Sequence, residues 1–115
     1  MARESLHFVK DILKMIDLVD VSIKGKSFVD FQKDQVFRLG MERAVEIISE
    51  ASRHIPDHFK AMRAEVPWQR IKGIGNVLRH EYHGLSDNII WKALTDELPR
   101  LQVAVKAIQD EMNAV

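Results

Sequence analysis

The chain contains no cysteine. That absence excludes a disulfide framework, a thiolate metal site and a cysteine nucleophile, and folding owes nothing to oxidation. No apolar run approaches the ~18 residues of a membrane-spanning helix, and no charged-then-apolar leader opens the sequence. The expectation is neither insertion nor secretion, and hence a cytoplasmic protein. Excess charge of one sign is missing too: 17 basic residues cancel 17 acidic ones, so bulk electrostatics do not mark a nucleic-acid binder. Strand alternation, Gly/Ser linkers, internal repeats and low-complexity tracts are all absent.

What is present is an ordinary globular composition, 46% hydrophobic and 30% charged over 115 residues. Residues 1–115 are therefore expected to form one domain with a proper core. Leu6, Val9, Ile12, Leu13, Ile16, Val19 and Ile23 recur at steps of three and four with charged residues between them, predicting a first helix that stops at Gly25. A second long segment is predicted from Ser27 to Ile55, with an inward stripe of Val36, Leu39, Ala44, Ile47, Ile48 and Ala51 and with Pro56 closing it. His58–Glu65 reads as a loop or short helix.

Pro67 suits the first turn of a third helix, Trp68 to about Tyr82, ended by Gly84. Ser86 and Asp87 cap a fourth segment running to Leu98. Pro99 opens a last helix whose inward residues are Leu101, Val105, Ile108 and Met112. The short loops predict an all-α, up-and-down bundle of four main helices plus a short one.

Charge is distributed unevenly: residues 60–79 sum to +4 through Lys60, Arg63, Arg70, Lys72 and Arg79 against Glu65. A phosphate-binding surface needs such a segment, although scattered solvated side chains account for it equally well. On a helical wheel, Ile71, Ile74, Val77 and Leu78 form a core face of the third helix. Trp68, Lys72, Gly75, Asn76, Arg79, His80, Tyr82 and His83 fill the other side. Each taken alone has a plain explanation, such as a solvent-facing Asn or a packed Tyr. Gly73 and Gly75 are harder to explain, because each costs about 1 kcal/mol relative to Ala inside a helix. Two so close predict that something approaches the backbone. Neither His80 with His83 nor His54 with His58 is completed by a carboxylate cluster, so no metal site and no cofactor is expected.

Pro67-Trp68, Ile71-x-Gly73, Asn76-x-x-x-His80-Glu81-Tyr82, Asp87, Ile90-Trp91 and Leu98-Pro99-x-Leu101, with Glu50-Ala51 upstream, resemble HepT-type HEPN proteins in order and spacing. The resemblance covers nearly the whole chain. It implies a helical bundle that forms a homodimer, with the motif helices of two subunits beside a shared cleft. It also implies metal-independent endoribonuclease action on RNA, as the toxin of a toxin–antitoxin pair neutralised by a minimal nucleotidyltransferase (MntA-like) that can adenylylate the motif tyrosine. On this resemblance His80 is the catalytic histidine, Asn76 the motif asparagine and Tyr82 the modified residue. Lys72 and His83, on the same arc, are candidates for substrate binding.

Metal-free RNA cleavage needs a base titrating near neutral pH for the 2′-hydroxyl and a cation for the charge that develops on phosphorus. The family's pattern supplies that cation as an Arg separated from the His by about four to six residues. Here Gly75 stands in its place. Arg79, one turn later and expected to lean back over Gly75, is the candidate substitute, with Lys72 a second. The alternative is a degenerate site, in a binding module that partners a nucleotidyltransferase.

Overall fold

In the computed structural model, which describes residues 2–80 and 86–114 (Ala2, Arg3 and His80 through their backbone alone), every regular element is helical. Helix α1 spans Ala2–Ile23, α2 Phe28–Lys33, α3 Gln35–Arg53, α4 Asp57–Ala61, α5 Trp68–His80, α6 Asp87–Lys92 and α7 Leu98–Asn113. The long helices lie in the spatial order α7, α1, α3, α5, so that α1 packs on α3 and α7 while α5 packs chiefly on α3. Val9, Ile12, Ile16 and Val19 of α1 meet Ala44, Val45 and Ile48 of α3 and Leu101, Val105, Ile108 and Met112 of α7 in one buried core. Each buried Val, Leu, Ile or Met side chain among these contributes roughly 1.5–3 kcal/mol. The α1 and α7 stripes are those that the apolar spacing predicts. Gly25 ends α1 with a positive φ of 74°, a backbone conformation that glycine adopts without a Cβ clash.

The predicted second helix is in fact two. Asp34, extended at φ −87° and ψ 96°, closes α2, and its carboxylate accepts from the Phe37 N–H to start α3. Ser27 and Asp30 form a reciprocal capping box at the start of α2. Val36 and Leu39 share the unbroken helix α3 with Ala44, Ile48 and Ala51 but, at about 100° per residue, lie well round from that buried stripe; expected inside, they are 82% and 52% exposed. Phe31 and Met41 fill the core in their place.

Pro99 stands in the first turn of α7, as predicted, but no loop precedes it: α6 runs into α7 through a π-turn, Ala93–Glu97. Proline cannot donate to the carbonyl one turn back, and its ring crowds that carbonyl. Widening a single turn, with the Leu98 N–H reaching Ala93 O, lets the helix pass the obstacle. Ser86 caps α6 as expected, its Oγ accepting from the Ile89 N–H at 3.4 Å.

Helices α3 and α5 run antiparallel and meet where Gly75 lies on Ser49. Any Cβ at position 75 would overlap Ser49 Oγ and Cβ, while nothing lies within 4 Å of a Cβ at Gly73. Ser49 is fully buried. Its hydroxyl donates to the Lys72 carbonyl at 3.4 Å, and Ser52 Oγ donates to Ser49 O at 2.7 Å. Close approach of the helix backbones thus explains Gly75 and not Gly73. Gly75→Ala should destabilise the fold by about 1–3 kcal/mol through overpacking. In a Ser49→Gly background the same change should cost nothing or stabilise, by up to about 1 kcal/mol of helix propensity. A double-mutant cycle by urea unfolding reads this coupling; equal costs in both backgrounds would contradict the contact.

Candidate active site on helix α5

Helix α5 is fixed at its start by Trp68, whose indole N–H is shared between the carbonyls of Lys60, at 3.2 Å, and Arg63, at 3.1 Å. Arg70 pairs with Glu97 of the π-turn at 2.8 Å. Ile74 is buried against the core, while Ile71 and Leu78 are packed at its margin. Gly75, assigned by the wheel to the polar side, is buried against α3. The inward arc of α5 is therefore wider than its apolar residues indicate, because a glycine leaves no hydrophobic signature when it packs.

Asn76 and Arg79 come together. Arg79 Nη2 donates to Asn76 Oδ1 at 2.8 Å, and Nη1 donates to Glu50 Oε1 of α3 at 3.3 Å. The arginine does lean toward the helix N-terminus, but it lies on Asn76 and Glu50 rather than over Gly75. Each Nη atom spends one of its two hydrogens on these bonds, so the guanidinium keeps further N–H donors for a phosphate. Arg79 also lines a groove of 360 Å³ between α1, α3 and α5, with Phe8, Arg43, Glu46, Glu50 and His54 among the other walls. His54 stacks on Phe8, ring centroids 4.4 Å apart, and His58 tilts against Phe59. Among the described residues, no three of His, Asp or Glu gather to hold a metal ion.

Lys72 is exposed one turn before Asn76. His80 closes α5; Tyr82 and His83 lie outside the described residues. The structure thus brings Asn76 and Arg79 together on the helix that carries His80. Glu50, noted in the sequence only as part of the resemblance, proves to be the carboxylate that holds Arg79. Ser49 and Ser52 were missed. Their signal is two small polar residues three apart on α3, one of which, Ser49, matches Gly75 of α5.

The chain belongs to the HepT-like ribonuclease family, whose profile matches residues 7–108. A provisionally named RNase of Caldanaerobacter subterraneus subsp. tengcongensis is 38% identical over 101 residues, covering 88% of this chain and 90% of that protein. A provisionally named ribonuclease HepT of Thermococcus cleftensis is 32% identical, covering 89% of this chain and 93% of its own. A provisionally named RNase of Methanocaldococcus jannaschii is 31% identical, covering 92% and 97%. No solved structure matches the sequence.

The Arg79–Glu50 pair sits at the surface, where such pairs are worth about 0–1 kcal/mol. Arg79→Ala should therefore shift urea stability by less than about 1 kcal/mol, so that any activity it removes is not lost to unfolding. A larger shift would make Arg79 a structural residue.

Proposed function

We propose that the protein is a HEPN-type, metal-independent endoribonuclease acting as the toxin of a toxin–antitoxin pair. The reading is carried by the juxtaposition of Asn76 and Arg79 on the helix that ends in His80, in a chain of the HepT-like family. His80 takes the proton of an RNA 2′-hydroxyl as its oxygen bonds to phosphorus. Arg79 offsets the charge that develops on the phosphoryl oxygens, and Asn76 holds Arg79 and positions the phosphate. The bond from phosphorus to the 5′-oxygen then breaks, and that oxygen takes up a proton. Lys72 and His83 flank the path of the substrate.

The cleft is completed by a second copy of the chain. A homodimer places the two His80 residues near each other, so a monomer by sedimentation would count against it. The partner is a minimal, MntA-like nucleotidyltransferase that can adenylylate Tyr82, and the setting is the cytoplasm. No described helix is long and apolar enough to cross a membrane.

One observation favours a second reading, a degenerate binding module for the nucleotidyltransferase: Gly75 occupies the motif arginine's position, and Ser49 leaves no room for a side chain there. Grafting arginine back at position 75 would disrupt the α3–α5 contact, so the test lies elsewhere. In metal-free buffer the parent should cleave RNA. His80→Ala and Arg79→Ala should each lose about a hundred- to a thousandfold in rate, the scale of removing one base or one charge-stabilising donor. An inert parent would move the conclusion to the binding module, whereas Arg79→Ala cleaving as well as the parent would leave a nuclease and remove Arg79 from its mechanism. Co-expression with a cognate nucleotidyltransferase, read by mass spectrometry, should add adenylate to the peptide bearing Tyr82.

A further inference from the structure

Six arginines, Arg38, Arg43, Arg63, Arg70, Arg79 and Arg100, each lie within ion-pair distance of a carboxylate. Arg53 has no such partner among the described residues, and two unpaired lysines lie near it. Lys60 Nζ sits over the Trp68 ring, 5.9 Å from its centroid, and Lys72 follows one turn later on α5. Arg53 is one turn beyond Ser49, whose hydroxyl holds the Lys72 carbonyl, so the antiparallel helices carry Arg53 and Lys72 to the same corner. Burial holds the Lys60 ammonium below its usual pKa range. Asp57, the acidic residue facing it, opposes that shift, while Lys72 and Arg53 reinforce it. Three cations thus face one carboxylate, an arrangement that a bound anion would relieve.

Beside this corner is a hollow of 680 Å³ with Ala61, Val66, Pro67 and Trp68 among its walls and with Lys60 and Arg70. An acidic protein segment would answer the charges and leave the apolar hollow unused. A nucleic-acid strand brings phosphates for the cations and base faces for the hollow.

We propose that Arg53, Lys60 and Lys72, with the Trp68 hollow, form a docking surface for the backbone of single-stranded RNA leading onto the Asn76–His80 face of α5. The inference rests on the proposed RNA-facing role of α5, and it adds a surface at the junction of α3, α4 and α5 that takes hold of the strand away from the reacting phosphate. Lys72 joins the two, since it belongs to the corner and lies one turn before Asn76.

The experiment is fluorescence anisotropy of the full chain with a labelled 2′-O-methyl single-stranded RNA, which has no 2′-hydroxyl to react, across a salt series. Replacing the trio, R53Q/K60Q/K72Q, should weaken binding and reduce the slope of log K against log salt by about 2, because each single-strand phosphate contact contributes about 0.7. The charge-conserving R53K/K60R/K72R should keep the parent slope, as should K10Q/K14Q/K106Q, which removes cations elsewhere. An unchanged slope in R53Q/K60Q/K72Q would overturn the proposal, as would an equal loss in either control. Poly-glutamate binding that is lost in R53Q/K60Q/K72Q while RNA binding survives would assign the corner to an acidic protein and overturn it as well. A parent that binds RNA with this slope yet never cleaves leaves the docking surface standing and removes the nuclease reading. A parent that cleaves while R53Q/K60Q/K72Q binds undiminished does the reverse.

Discussion

Helix α5 touches the rest of the bundle chiefly through α3, and the closest point of that contact is Gly75 against Ser49. Two helix backbones come this near only where side chains are absent or very small. The buried Ser49 hydroxyl adds direction to the contact by donating to the Lys72 carbonyl. Because a helix is rigid over one turn, fixing the rotation of α5 at position 75 also fixes where 72, 76 and 79 point. Asn76 and Arg79 are set beside Glu50, and Lys72 is turned to the exposed side. The functional face is thus a consequence of a packing contact on the neighbouring arc.

That constraint bears on the missing motif arginine. Position 75 is occupied by structure, and the cation in its neighbourhood is Arg79, tethered by one carboxylate and one amide. Tethering lowers the entropy lost when a phosphate is grasped, at the cost of partly neutralising the charge. In the proposed reading Glu50 works as a positioning residue for Arg79, and the balance between these two effects sets how much activity the chain keeps.

Much of the fold was legible in the sequence where apolar spacing alone decides the outcome. The stripes of α1 and α7, the glycine stop at Gly25 and the Ser86 cap are all where period and capping chemistry place them. The departures have separate causes. Asp34 ends one helix and starts the next within a sequence that has no proline or glycine to mark the break, and Val36 and Leu39 are apolar residues off the buried stripe of α3. Pro99 is a strong stop signal, but a π-turn absorbs it. For the site, the family motif singled out Asn76 and His80, and helix geometry added Arg79. A wheel of one helix could not place Gly75 inward or find Glu50, because both depend on a partner helix 23 or more residues away in sequence.

The central claim is that Arg79 replaces the motif arginine as the cation at the reacting phosphate. The most direct measurement is a crystal structure of the protein with an uncleavable RNA bound. The account predicts the scissile phosphate within hydrogen-bond reach of both the Arg79 guanidinium and the His80 imidazole, with Asn76 still accepting from Arg79. A bound strand whose phosphates all lie away from Arg79, with that side chain closed on Glu50 and Asn76, would contradict it.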